Sequence, residues 1–279
     1  MGSRVGDNAR RTPLRDVAAL RDLAAGTGHP AFATPNRLRL LRGFELTIDS
    51  AVVDLPLTAQ RLATFLAMHD RPVHRGQVAG VLWPHSSEDR AAASLRTALF
   101  RLRGPGAAVV ETSATQLRLG AGVAVDVPSL VAVAHRLTAG ESVERLDELI
   151  VAFEDELLPD RDDEWVLVWR ERWRHVRLNA LETLALRLAD AGAFGRAVDA
   201  GLAAVAAEPL RESAHRALIR AHLLQGNHGE AMRQYAAYRR LLDRELGIEP
   251  SPVMEELVSA LLPRQRRGAS PVVAWPPCR

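Results

Sequence analysis

At 279 residues the chain has room for two domains of ordinary size, each able to bury a core. It carries 36 basic and 34 acidic residues for a net charge of +2, and every basic residue is arginine; with abundant Ala, Leu and Val this reads as G+C-rich coding bias, so arginine number alone is weak evidence for nucleic acid. The single cysteine, Cys278, excludes an internal disulfide and a cysteine metal cluster, and no apolar run of about 18 residues or signal-peptide core is present, so a soluble cytoplasmic protein is expected.

Residues 1–36 mix Gly, Thr, Pro and charge around one weakly amphipathic stretch, Leu14 to Leu23. A flexible arm is expected there, too short for a phosphoacceptor receiver domain, so that any signal enters elsewhere. A period of two follows: Leu38 and Leu40, then Phe44, Leu46 and Ile48, alternate with Arg39 and Glu45, with Val52 and Val53 as a third short piece. These predict strands ahead of three helices.

The first helix is predicted over Thr58 to His69, with Leu62, Phe65 and Leu66 on one face and Thr58 as N-cap. After Asp70-Arg71-Pro72, the second runs from Arg75 to Trp83 and is stopped by Pro84. The third, Ala91 to Arg103, carries three arginines and no acid. At about 100° per residue, Ala91, Leu95, Ala98, Leu99 and Leu102 form an apolar stripe, while Ala93, Ser94, Arg96, Thr97, Phe100 and Arg101 point the other way. A duplex major groove admits such a helix, phosphates reward arginine, and Arg, Thr and small apolar groups read base edges. An ordinary amphipathic surface helix has the same pattern, so the neighbours decide. Val109 to Thr112 and Gln116 to Leu119 flank Ser113-Ala114-Thr115 as a hairpin with Gln116 and Arg118 outward. A small sheet, three helices and a terminal hairpin make a winged helix, in which Arg118 either meets a phosphate or is a solvated strand residue.

Charge divides the chain. From Arg37 to Arg103 ten arginines face six acids, whereas from Glu141 to Glu171 twelve acids face three arginines. Only the first half is suited to an anionic polymer. The acids at Glu154, Asp155, Glu156, Asp160, Asp162, Asp163 and Glu164 read as a solvated turn, because a calcium loop needs a glycine that is missing.

Between Val166 and Leu262 nearly everything reads as helix. Gly192 and Ala197 recur as Gly226 and Ala231, each 34 residues later, which is the tetratricopeptide period. In that hairpin a glycine ends one helix at positive φ and a small alanine lets the next approach. Two repeats fall short of the usual three, so Trp165 to Leu188 and Pro252 to Leu262 are expected to complete the stack, either as an interaction surface or as a structural body. The basic, proline-rich tail, 263–279, is expected to be disordered. No phosphate loop, GxSxG elbow or HExxH motif occurs, and His69, His74 and His85 lack the cysteines or spaced carboxylates of a metal site; neither catalysis, cofactor nor metal is expected.

These residues resemble the SARP class of pathway-specific activators, which join an OmpR-like winged helix to a bacterial transcriptional activation domain of tetratricopeptide type. The resemblance covers about Arg37 to Leu262. In the first half it rests on Leu82-Trp83, Leu95, Leu99 and Arg101-Leu102-Arg103. In the second it rests on Leu157-Leu158-Pro159, Glu164-Trp165, Glu171-Arg172, the run from Pro209 to His215 (PLRESAH) and the run from Leu246 to Ser251 (LGIEPS). It implies binding at promoter repeats near the −35 region and recruitment of RNA polymerase, through sigma factor and core subunits, to switch on a biosynthetic gene cluster. Two positions depart from the family pattern: Thr115-Gln116-Leu117 stands where the wing commonly carries Gly-Tyr, and Phe100 where a small or polar residue is frequent. No nucleotide-binding ATPase domain follows, so a short-form member is expected.

The expected architecture is therefore an α+β winged helix at 37–126 followed by an all-α tetratricopeptide-like domain at 127–262. The expected activity is that of a nucleoid-associated activator, a homodimer on double-stranded promoter DNA. Ala93, Arg96, Thr97 and Phe100 would meet base edges, with Ser94, Arg101, Arg103 and Arg118 on phosphates. The alternative is a helical-repeat adaptor whose winged helix makes protein contacts.

Overall fold

The computed structural model describes residues 36–103 and 109–259; the expected arm, the turn at Gly104-Pro105-Gly106 and the tail lie outside the described residues, apart from Asn36. Strands β1 (Asn36–Arg39), β2 (Glu45–Ile48) and β3 (Ala51–Val53) form an antiparallel meander in which Leu38 faces Leu46. The alternation in the sequence places Leu38, Leu46 and Ile48 in the core.

Helix α1 spans Leu57–Ala67 and starts one residue before the expected cap. Pro56 occupies the cap position with no side-chain hydrogen bond, and its carbonyl accepts from Ala59 and Gln60 at 2.9 and 3.1 Å. Proline has the required φ and no N–H to satisfy, so Thr58 falls within the first turn instead of capping it. A two-residue strand β4 (Val73–His74) precedes α2 (Arg75–Leu82), whose N-terminal Gly76 N–H donates to the His74 ring. Helix α3 runs Glu88–Arg103, a turn longer than expected, because Glu88 and Asp89 extend it at the end where the helix dipole favours acids.

The hairpin β5 (Val110–Thr112) and β6 (Gln116–Leu119) forms as expected, and β4 adds to it through β6 in the order β4-β6-β5. Strand β7 (Val123–Val125) then returns to pair in parallel with β1, giving the order β3-β2-β1-β7. It delivers the buried Asp126 to the first turn of α4 (Asp126–Thr138), where its carboxylate accepts from the backbone N–H groups of Leu40, Leu41 and Val127 at 2.8–3.1 Å. Burial pushes this carboxyl up to about 6, with the three N–H donors pulling the other way.

After α5 (Leu146–Glu154) come α6 (Glu164–Asp190), α7 (Phe194–Ala207), α8 (Glu212–Leu224), α9 (His228–Leu246) and α10 (Pro252–Val258). The repeat is visible in the backbone. Gly192 and Gly226 have φ of +75° and +82°; Ala193 N–H returns to Leu188 C=O as Asn227 N–H returns to His222 C=O, at 2.8 and 2.9 Å. Both are Schellman-type ends, and Ala197 and Ala231 are fully buried behind them. Space is free around a Cβ built at Gly226, so a side chain there suffers backbone strain alone. Gly226→Val is expected to cost about 1–2 kcal/mol and lower the melting temperature, followed by circular dichroism, by a few degrees. An unchanged melt refutes the cap.

The hydrophobic core runs without a break from Leu38 to Ala221, across the end of the winged helix, and a smaller cluster around Tyr235, Tyr238 and Leu242 closes the far end. The acidic segment explains the continuity and departs from the solvated turn expected of it. Asp155 pairs with Arg42 at 3.0 Å, Asp163 with Arg61 at 2.7 Å, and Glu156 lies 3.6 Å from Arg177. Leu158 N–H donates to Leu40 C=O and Arg42 N–H to Glu156 C=O, while Phe65 meets Trp165 edge-on at 5.5 Å. Glu154, Asp160, Asp162 and Glu164 stay exposed. Glu156 is exposed as well and its pair lies within the helical part, so five of the seven acids face water while the Asp155 and Asp163 side chains fasten the helical part to the first half.

Candidate nucleic-acid interface

Helix α3 is seated by the stripe read from its sequence: Ala91, Leu95, Ala98, Leu99 and Leu102 are all buried. On the opposite side Ala93, Arg96, Thr97, Phe100, Arg101 and Arg103 are exposed and Ser94 is half-buried. Phe100, at 71% exposure, lies on this face with no core to cover it. A large aromatic left in water beside arginines suits stacking or contact with a thymine methyl. Thr97 Oγ1 donates to the Ala93 carbonyl at 3.1 Å, which turns its hydroxyl hydrogen inward and leaves its methyl and lone pairs for recognition.

The arginines fall into two sets. Arg39 pairs with Glu45 at 2.7 Å, while Arg42 and Arg61 are held by the acidic segment. Arg96, Arg101 and Arg103 have no partner among the described residues, so their charge is directed outward. Arg90 shares this condition and lies on the same helix face as Thr97 and Arg101. The sequence reading missed it by starting the helix at Ala91; the acidic pair Glu88-Asp89 was the available sign of an earlier start.

Arg118 projects outward from β6 but grips Glu111 on β5, with its Nε 2.7 Å from the carboxylate. The Ala121 N–H and then Arg118 hold the Glu111 carboxyl below its usual range. Any phosphate at Arg118 therefore shares the guanidinium with an ionised neighbour, which makes it a weaker anion site than the helix arginines. Arg75, also unremarked in the sequence reading, donates from α2 to the Ser113 carbonyl at 3.0 and 3.2 Å and steadies the hairpin tip beside α3.

Of His69, His74 and His85, the first two are engaged within the fold and His85 is exposed. The His69 ring packs on Phe65 and Trp169 at 4.4 and 5.5 Å, and that of His74 caps α2. Among the described residues, no three His, Cys, Asp or Glu side chains are placed to hold a metal, and no helix is long and apolar enough to cross a membrane.

The distinctive runs of the helical half are joints. Arg211 and Ser213 converge on Glu182 at 2.6 and 2.8 Å. His215 donates to the Pro209 carbonyl at 2.9 Å and stacks on Tyr238 at 4.1 Å, with burial lowering its pKa. Glu212 accepts from the Ser251 N–H at 2.9 Å, and Ser251 caps α10. At Leu157 and Leu158 the carbonyls are held by Arg170.

Residues 127–262 match the family model of the bacterial transcriptional activator domain. Regulatory protein AfsR of Streptomyces coelicolor is 32% identical over 211 residues, which are 72% of this chain and 21% of that protein. Regulatory protein AfsR of Streptomyces griseus is 28% identical over an alignment of 282 residues, 97% of this chain and 27% of its own. The chain thus spans 21–27% of the length of these curated relatives. The solved structure of Mycobacterium tuberculosis EmbR, in complex with a low affinity phosphopeptide, shares the fold with a TM-score of 0.67 over 82% of this chain and 65% of that one, at 22% identity.

Proposed function

The chain belongs to the SARP family of transcriptional regulators, and on that premise we propose that it is a sequence-specific activator that seats α3 in the major groove of promoter DNA. The observation that carries this reading is the outward face of α3, where four arginines without partners among the described residues and an exposed Phe100 stand on a helix anchored by five buried residues. Arg96 reads a guanine through its O6 and N7; Ala93, Thr97 and Phe100 meet neighbouring base edges; Ser94, Arg101, Arg103 and, more weakly, Arg118 hold phosphates. Arg90 joins them as a phosphate contact. Bound as a homodimer to repeats near the −35 region, the protein recruits RNA polymerase through its helical half and turns on a biosynthetic gene cluster, without catalysis of its own.

The decisive test is binding to duplexes from upstream of its own gene neighbourhood, titrated against salt. Affinity is expected to fall steeply with salt concentration and to exceed that for random duplex. Arg96→Ala is expected to cost about 1–3 kcal/mol on the specific site and to relax preference at one base pair. Arg101→Ala is expected to weaken specific and random DNA alike and to reduce the salt slope by about one. If the two variants behave identically, the assignment of roles fails. Absence of any salt-dependent duplex binding favours the adaptor, in which the winged helix contacts protein.

A further inference from the structure

On the helical half, α5 and α7 flank an open groove of about 760 Å³, floored by Ile150, Val151, Leu202, Ala203 and Ala206. The alanines keep the floor low, and Val151 and Leu202 are 43% and 49% exposed with nothing described above them.

The charge around this groove is unbalanced. Its two basic residues are already engaged, Arg196 with Asp147 at 2.9 Å, and Arg177 with the Glu154 carbonyl at 3.0 Å and Glu156 at 3.6 Å. Glu154 on α5 and Asp199 on α7 are exposed carboxylates with no side-chain partner among the described residues. An apolar floor between unpaired acids repels a nucleic acid and attracts a cationic amphiphile.

We propose that this groove docks an amphipathic helical segment of a partner protein, apolar along one face and flanked by Lys or Arg. Asp147 to Glu154 and Asp199 to Ala206 each cover eight residues, seven steps or about 10 Å of helix, which matches a ligand presenting apolar side chains at i, i+3, i+4 and i+7. Its basic residues meet Glu154 and Asp199, and its apolar face covers Val151 and Leu202. The site is separate from α3 and does not depend on DNA binding.

The test uses the full chain and a fluorescein-labelled helical peptide with Leu at those four positions and Arg beside them. Two control peptides carry Glu for each Arg, or Ser for each Leu. Fluorescence anisotropy is expected to show salt-dependent binding of the first peptide and none of the controls. Ala206 is exposed, so Ala206→Arg fills the floor without touching the core and is expected to weaken binding at least about tenfold. Glu154→Gln combined with Asp199→Asn is expected to weaken it and flatten its salt dependence, while promoter affinity of all variants stays unchanged. Equal binding of the acidic control, or an undiminished signal from Ala206→Arg, overturns the proposal; its failure leaves the DNA measurements standing, and theirs leaves it standing.

Discussion

Asp126→Ala is expected to lower the melting temperature at pH 7 by roughly 10 °C, corresponding to about 3 kcal/mol. The carboxylate is the acceptor for three backbone N–H groups, two of them at the end of β1 and one in the first turn of α4. Removing it strands buried donors at about 1–3 kcal/mol each, partly offset by relief of the cost of burying the charge. The pH dependence carries its own signature. With a folded pKa of about 6 against an ordinary 3.8, the native protein binds a proton between those values that the unfolded chain has released. This group's contribution therefore falls as pH rises from 4 to 6, by up to about 3 kcal/mol, and levels above that. The gap between wild type and Asp126→Ala is accordingly expected to widen as pH drops from 7 to 5, as urea titrations at each pH would show. A gap that stays constant with pH shows that Asp126 titrates no differently once folded.

Gly201 is the second position of large expected effect. It lies in α7 where α8 crosses, and a Cβ built there meets Leu218 Cβ at 3.0 Å and its backbone Cα at 3.1 Å. Propensity alone says that alanine in a helix is better than glycine by about 1 kcal/mol. The backbone contact opposes this, since neither Leu218 Cα nor the fully buried chain around it has room to withdraw. Gly201→Ala is expected to destabilise by about 1 kcal/mol and Gly201→Leu by about 3, as overpacking of a close helix pair. A Gly201→Ala protein more stable than wild type in equilibrium unfolding would show that the pair separates freely.

The sequence disclosed most where one face of one element told the whole story. The stripe on α3 and the glycine caps 34 residues apart were legible because periodicity and positive φ are local properties. Strand β7 was not, since all three of its residues are buried and it has no alternation to read, and β4 is only two residues long. Helices α4 and α5 lie ahead of the repeat signal and went unremarked, although α4, at 13 residues, is longer than α1 and α2. The pairings Arg42 with Asp155 and Arg61 with Asp163 join residues about a hundred positions apart, beyond any pattern along the chain. The Arg118 pairing was within reach, because Glu111 and Arg118 are direct partners in the hairpin register. Charge counts misled at the acidic segment, where part of the apparent surplus closes against arginines of the first half.

Fastening by Asp155, Asp163 and the Leu40 carbonyl has a mechanical corollary. Two modules on a loose tether meet their targets at a distance given by chain statistics, and a binding event on one exerts little torque on the other. Here the polypeptide leaves β7 directly into α4 and returns at Leu157 to bridge Leu41, just past the end of β1, so the sheet and the helical array are joined at two points. On the proposed seating of α3 on a duplex, the array would follow it as one piece: the azimuth of α3 would dictate where α7 and α9 stand in space. Shifting a target site by a few base pairs would therefore swing the array around the helix axis, and would change what it reaches as well as how far.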